Sequence, residues 1–357
     1  MADAGVLHPI EDPLAYEELE LAFRNRAMPL EAMRYDVTPT GLHYLLIHWD
    51  VPETEADAWR LRIGGRVGRP LELTLDDIRS RPASTIPVTL ECCGNGRALM
   101  KPRAEGQPWL NGAIATAEWT GTSLGPILDE AGVEDDAAEI VFTGADRGIQ
   151  GGIEQDYQRS LTVQEARRPE VLLAYEMNGA PLEPQHGHPL RLLVPGWYGM
   201  ASVKWLTTIE AVSEPFMGYQ QAVAYRFQSG PEVLGEPYTR IQVRALMIPP
   251  GMTDYPARRR FVDAGPITLR GRAWSGWAPV ERVEVGVDGE WAEAKLDPPI
   301  GDFAWRGWTF EWEAVPGSRE LACRATDAEG NQQPLEQPWN FQGMGNNLIQ
   351  RVLVVVR

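Results

Sequence analysis

Apolar positions recur along the chain in two rhythms, and their order predicts most of its elements. Residues 1 to about 40 read as irregular and partly helical, with helical spacing of apolar residues from Leu14 to Phe23. His43–Trp49 alternates and is rich in large apolar side chains, which predicts a strand, as does Trp59–Val67. Leu75–Arg79 follows the capping residue Thr74 and predicts a short helix. Thr85–Glu91 predicts a strand that runs straight into Cys92-Cys93-Gly94-Asn95-Gly96-Arg97. Two glycines and an asparagine there imply a loop with positive-φ positions, where backbone can approach a ligand closely. Leu124–Ala131 reads as a helix stopped by Gly132. Val141-Phe142, Leu172–Met177, Leu190–Val194 and Val203–Ile209 read as further strands.

After Tyr225 the pattern changes. Ser229-Gly230-Pro231 and Gly235-Glu236-Pro237 make a break, and short strands follow at regular spacing: Gln242–Met247, Ile267–Trp274, Arg282–Val287, Phe310–Trp312, Glu320–Thr326 and Arg351–Val356. Turn signals at Asp288-Gly289 and Glu329-Gly330-Asn331 separate them, a spacing that favours a β-sandwich.

A chain of 357 residues, 43% hydrophobic and 23% charged, can bury two cores. Its formal charge of -17 opposes nucleic-acid binding, which needs a basic face. The same charge suits encounter with a basic partner protein. With only Cys92, Cys93 and Cys323, and the first two adjacent, a disulfide framework is excluded. No run of 18 apolar residues predicts a membrane span. The acidic stretch Met1–Pro13 does not read as a signal peptide, so a cytoplasmic site is expected, or a periplasmic one if a leader was removed.

Several constellations carry candidate chemistry. Cys323 reads as core. Cys92 ends a strand and opens a Gly-Asn-Gly loop, a place from which a thiolate can be aimed at a soft metal. His186 and His188 are either a pair of metal ligands or a polar turn before a strand. Gly121-Thr122-Ser123-Leu124-Gly125 matches the nucleophile elbow of serine hydrolases. That motif needs a buried strand before it, and Ala117-Glu118-Trp119-Thr120 reads as a poor central strand. Ser123 reads better as the cap of the helix at Leu124. No Walker loop, dinucleotide fingerprint or Cys-x-x-Cys-His motif is present, and His8-Pro9 lacks the glycines of a haem-binding motif.

From about His43 to the C-terminus, the segments in order resemble the sulfite oxidase family of molybdenum enzymes. Cys92-Cys93-Gly94-Asn95-Gly96-Arg97 is similar to the family loop whose first cysteine ligates molybdenum. Tyr175-Glu176-Met177-Asn178-Gly179, His186-Gly187-His188-Pro189-Leu190-Arg191, Val194-Pro195-Gly196 and Ser202-Val203-Lys204-Trp205-Leu206 resemble its most recognisable run. The resemblance implies an α+β molybdopterin-binding domain over 1–235 and an immunoglobulin-like β-sandwich dimerisation domain over 236–357, in a homodimer. It implies a molybdenum–molybdopterin cofactor with Cys92 as metal ligand. Tyr44, His48, Arg97, Asp146, His186, Arg191 and Lys204, with the backbone around Ser202 and Val203, match positions that hold the pterin and its phosphate. Tyr225, Arg97 and Cys92 match catalytic positions, and Trp109 a tryptophan near the substrate channel. The activity implied is oxygen-atom transfer to or from a small substrate such as sulfite, with electrons passed to an external acceptor such as a small cytochrome.

Two positions depart from the family. Leu46 and Gln342 stand where it has substrate-binding arginines, and each lost charge-assisted contact to a sulfite dianion costs about 1.5–3 kcal/mol. Unless Arg97 or Arg226 compensates, this points to another substrate such as a sulfoxide, nitrate or other oxyanion. Gln342 is expected to reach back toward the active site. A serine hydrolase using Ser123 stands as the alternative of another class.

Overall fold

The helical spacing near the N-terminus becomes α1 (Tyr16–Arg24) in a computed structural model that describes residues 13–336 and 338–357. The readings of Met1–Pro13 and of His8-Pro9 fall, Pro13 apart, outside the described residues. The Glu18 carboxylate of α1 accepts from the Ala15 and Gly106 N–H groups and from Arg103, which pins the helix across the protein surface.

The first sheet contains β1 (Leu61–Gly65), β2 (Leu71–Leu73), β5 (Glu139–Gln150), β6 (Ile153–Thr162) and β10 (Leu206–Val212), ordered β2-β1-β10-β5-β6. Only the β1–β10 pair is parallel. The second contains β3 (Ala83–Glu91), β4 (Ile114–Ser123), β7 (Leu172–Met177), β8 (Ala180-Pro181) and β9 (Arg191–Leu193). There β3 pairs with β4 along its whole length, from Ala83 opposite Thr122 to Glu91 opposite Ile114. Helix α2 (Leu75–Arg79) begins at a capping box in which Thr74 Oγ1 accepts from the Asp77 N–H and the Asp77 carboxylate accepts from the Thr74 N–H. Gly132, at φ 67°, ends α3 (Gly125–Ala131) in the left-handed region.

The second sheet is buried on both faces. Leu173, Tyr175 and Leu192 pack with α2, α3 and the first sheet. Their alternating neighbours Leu172, Ala174 and Leu193 pack against Met28 and Met33 and against Trp274 and Trp305 of the C-terminal half. That half is the expected β-sandwich. One layer contains 244–247, 265–274, 306–314 and 295–296; the other is built around 350–356, 317–327 and 280–287. Cys323 lies fully buried in its core, where burial pushes the thiol up to about 12. The whole is α+β followed by a β-sandwich, as expected.

Three expectations are corrected. His43–Trp49 forms no strand, only one bridge from Leu45 to Arg26. Its backbone is satisfied by side chains instead, Asn25 accepting from the Ile47 N–H and Lys204 donating to the Leu46 carbonyl. Residues 117–120 are central strand after all, flanked by β3 and β7, because Gly121 lets the Leu173 carbonyl come within 2.4 Å of where a Cβ would sit. Ser123 ends β4 and caps nothing; Leu124 is the N-cap of α3, and Pro126 in the first turn sets its start.

Candidate active site

Strand β3 delivers Cys92 at its end. The Cys92 N–H donates to the Ala113 carbonyl (2.9 Å), and the Asn95 N–H returns to the Cys92 carbonyl (2.9 Å). The Asn95 side chain closes the turn by accepting from the Ala113 N–H and donating to Glu91 Oε1. Gly96 sits at φ 89°, and a Cβ there would lie 2.9 Å from Asn346 Nδ2, so the position needs glycine on both counts. Two cavities meet at this loop. Cys92 lines both, whereas Cys93 lines only the inner one. Burial raises both thiols. At Cys92 the Gly94 N–H, the charge of Arg97 and the Trp109 indole act against that rise, while the neighbouring Cys92 sulfur drives Cys93 further up. Geometry thus singles out Cys92, the one of the two adjacent thiols that faces both cavities.

The inner cavity gathers residues from distant parts of the chain. Tyr44, His48, Asp146 and Tyr225 lie on its walls. So do His186, Arg191, Ser202 and Lys204. Arg191 is buried and donates only to the carbonyls of His186 and Ser202, with its guanidinium 4.7 Å over the Trp119 ring. Lys204 donates to the carbonyls of Leu46 and Gln185. Among the described residues neither cation has an ion-pair partner. Burial lowers both, Arg191 to about 10, and the charge of Arg191 lowers Lys204 further. Burial raises Asp146, which Lys204 opposes. Arg191 thus keeps an unpaired positive charge in a desolvated setting beside Lys204, and an anionic phosphate would complement it and hold Lys204 protonated.

His43, missed by sequence reasoning, belongs here too. It is 2% exposed, its Nδ1 lies 2.8 Å from the Tyr44 carbonyl, and burial lowers it to about 4. A polar ring inside an alternating apolar run was the signal available. Arg159 was also missed: its guanidinium stands 5.6 Å over the Tyr225 ring, on a strand, β6, that the sequence pattern did not reveal.

The residues fit a phosphate-bearing pterin that carries a metal. Three buried polar atoms around the chamber, His43 Nε2, Asp146 Oδ1 and Arg191 Nε, have no partner within the protein. The Ser202 hydroxyl accepts from the Val194 N–H and keeps its own proton to donate. Among the described residues no group of three His, Cys, Asp or Glu side chains could hold a metal alone. Cys92 would hold such a metal together with ligands from outside the described side chains. His188 is a turn residue, its Nδ1 near the Leu182 carbonyl, rather than a partner of His186 in a metal site. Val203 lines neither cavity: its side chain is core, its N–H donates to the Ala201 carbonyl and its carbonyl accepts from Leu192.

The outer cavity holds about 820 Å³ and opens past α1. Arg97 lies on its wall, with Nε donating to the Gln342 carbonyl (3.1 Å), Nη1 to the Gln107 carbonyl (3.3 Å) and Nη2 to Met344 Sδ (3.2 Å). Sequence reasoning placed Arg97 both with the pterin and among the catalytic residues; in the fold it lines the outer cavity and not the inner one. Gln342 does reach back from the C-terminal half, donating to the Val223 carbonyl. Tyr225 adopts a left-handed φ of 59° and holds its hydroxyl 2.8 Å from His48 Nε2, between the two cavities. Arg226 cannot stand in for the missing arginines, since its guanidinium donates to the Leu234 and Gly235 carbonyls and lines neither cavity. Among the described residues, no histidine nitrogen contacts Ser123.

A buried chamber with cations on its wall, and a thiol shared with a second cavity, has the character of an α+β protein's site for a phosphate-bearing, thiol-ligated metal group. Comparison with known proteins names it. Residues 48–220 match the oxidoreductase molybdopterin binding domain, and residues 240–357 the Mo-co oxidoreductase dimerisation domain. Human mitochondrial sulfite oxidase is 35% identical over 371 residues, covering 97% of this chain and 67% of that protein. The Hordeum vulgare nitrate reductase [NAD(P)H] is 33% identical over 353 residues, but this chain spans only 39% of its length. The sulfane dehydrogenase SoxCD from Paracoccus pantotrophus shares the fold, with a TM-score of 0.81 at 23% identity over 99% of this chain and 96% of that one. The chain belongs to the sulfite oxidase family of molybdopterin-dependent oxidoreductases.

Proposed function

We propose that this protein catalyses oxygen-atom transfer to or from a small substrate at Cys92 and passes the electrons to or from an external one-electron carrier. The observation that carries the reading is that Cys92 is a shared wall of the inner, cationic chamber and the outer, open cavity. A molybdopterin held there would supply two-electron chemistry at its metal.

Everything else falls to the chain. Arg191 and Lys204 would hold the cofactor's phosphate, the Ser202 hydroxyl would donate to it, and His43, Asp146 and His186 would meet the polar edges of the pterin. Burial raises the Cys92 thiol, and the charge of a metal bound there would favour its thiolate. Arg97 would orient the substrate oxygen from the outer side. The Tyr225 hydroxyl would hold or release a proton at that oxygen, with His48 Nε2 as its hydrogen-bond partner.

Sulfite is the first candidate, since the most similar relatives include sulfite oxidases. Nitrate or another oxo compound is the second reading, favoured by Leu46 and Gln342 on the cavity wall. We place the cofactor domain at 1–235 and a dimerising sandwich at 236–357, with a homodimer as the working state. A net charge of -17 favours a basic carrier such as a small cytochrome, and a cytoplasmic site is our expectation. Among the described residues no helix is long and apolar enough to cross a membrane. Metal analysis of purified protein tests the reading. We expect about one molybdenum per chain, lost with activity in Cys92→Ser and kept in Cys93→Ala; equal losses in both variants would refute the assignment of Cys92.

A further inference from the structure

Tyr225 stands in a backbone conformation that its own side chain disfavours, so neighbouring groups must impose it. At a φ of 59° its β-carbon crowds the following carbonyl, a strain that persists only where the surroundings over-determine it. Before it comes a single helical turn, Tyr219–Ala222, whose Tyr219 carbonyl accepts from the Val223 and Ala224 N–H groups (3.0 Å each). After it, Arg226-Phe227 runs antiparallel to Glu236-Pro237. The bend between the two is bridged from the C-terminal half, by the side chain of Gln342. Its Oε1 accepts from the Arg226 N–H (3.2 Å), and its Nε2 donates to the Val223 carbonyl (2.9 Å). One planar amide thus holds the residue after Tyr225 and the residue two before it. The second hydrogen of Nε2 goes to Gln228 Oε1 (2.6 Å). The orientation of the amide is fixed chemically, because a main-chain N–H only donates and a carbonyl only accepts. Both N–H groups of Gln342 are committed to the chain, which leaves it no donor for a substrate oxygen.

The bridging residue is itself anchored. The Phe341 N–H donates to the Gln228 carbonyl (2.7 Å), and the Gln342 carbonyl accepts from Arg97 Nε (3.1 Å). The Asn340 side chain closes the loop onto Met344, donating to its carbonyl (2.8 Å) and accepting from its N–H (2.9 Å). An arginine at 342 would bring five donors and no acceptor, so it could not take the Arg226 N–H. Glutamine supplies donor and acceptor together.

We infer that Gln342 is a positioning residue for Tyr225: its side-chain amide clasps Val223 and Arg226 and so fixes the left-handed turn that sets the Tyr225 hydroxyl between the two cavities. For its effect on turnover, the inference rests on the preceding reading that this hydroxyl handles a proton. The C-terminal half then acts on the reaction through one amide rather than through a charge on the substrate.

Gln342→Met removes both bonds at nearly constant shape. Hydrogen exchange on the full chain as purified reads the clasp directly, because the Arg226 N–H is one of its bonds. In Gln342→Met the amides of 224–228 should exchange about tenfold faster than in the wild type, with those of 83–91 unchanged. Steady-state turnover reads the consequence, with sulfite and ferricyanide or with nitrate and reduced methyl viologen, whichever pair the wild type turns over faster. Gln342→Met should lower kcat about tenfold and leave KM within about twofold. In a Tyr225→Phe background the same change should alter kcat by less than about twofold. Unchanged exchange at 224–228, a KM that rises while kcat is kept, or losses that multiply fully with Tyr225→Phe would each overturn the inference. A wild-type kcat in Tyr225→Phe, or protein that takes up no molybdenum, would overturn the preceding reading instead, and exchange at 224–228 would still decide the clasp.

Discussion

Arg244 of the sandwich and Glu91, the residue before Cys92, form an ion pair of 2.8 Å whose side chains are 1% and 3% exposed. The same carboxylate accepts from the Trp274 indole (2.8 Å) and from Asn95 (2.9 Å). Burial raises the Glu91 carboxyl, and these donors act against the rise. The C-terminal half thus anchors the strand end that presents the thiol. Removing one member of a buried pair leaves the other uncompensated, at a cost of about 3–5 kcal/mol. Arg244→Met should therefore lower the urea-unfolding free energy by that order and reduce molybdenum retention. A loss under about 1 kcal/mol would show that the pair anchors nothing.

Tyr225 is held in a left-handed backbone conformation with its hydroxyl on His48. A non-glycine residue rarely adopts that conformation unless its surroundings over-determine it. Tyr225→Phe keeps the ring and removes one hydrogen bond, worth about 1 kcal/mol in stability. Turnover should fall by about a hundredfold if the hydroxyl handles a proton. Molybdenum content and melting temperature report whether the fold survives; unchanged kcat would exclude Tyr225 from the chemistry.

Buried neutral histidines make the protein acid-sensitive. Burial lowers His43 to about 4 from an ordinary 6.5, and His186 to about 2. Below pH 6.5 the unfolded chain binds protons that the folded chain refuses, so stability falls with acid, and for His43 the loss levels off near pH 4. The His43 contribution is on the order of 3 kcal/mol when fully developed. Urea titrations at pH 7.5 and 5 should show a smaller difference in His43→Asn than in the wild type. Equal differences would mean that His43 is already charged in the fold.

Ser123 meets the local requirements of a nucleophile elbow, since a buried strand precedes it and a helix follows. It has no histidine partner among the described residues. Ser123→Ala should leave turnover within about twofold of the wild type. Ester hydrolysis by metal-free protein that Ser123→Ala abolishes would revive the hydrolase reading.

Local chemistry was readable from the sequence where it acts locally. The Thr74 cap, the Gly132 stop, the sandwich strands and the Cys92–Arg97 turn depend on a few neighbouring residues, and each was legible. So was the family, because its motifs lie in short runs. Tertiary structure alone turned 43–49 from an expected strand into a cavity wall, since its backbone partners, Asn25 and Lys204, lie far away in sequence. It alone made 117–120 a central strand, moved Arg97 to the outer cavity, spent Arg226 on carbonyls and brought His43 and Arg159 to the centre. The physical reason is range. Caps and turns are settled within a few residues, whereas burial, desolvation and the pairing of charges depend on which distant segments the fold brings together.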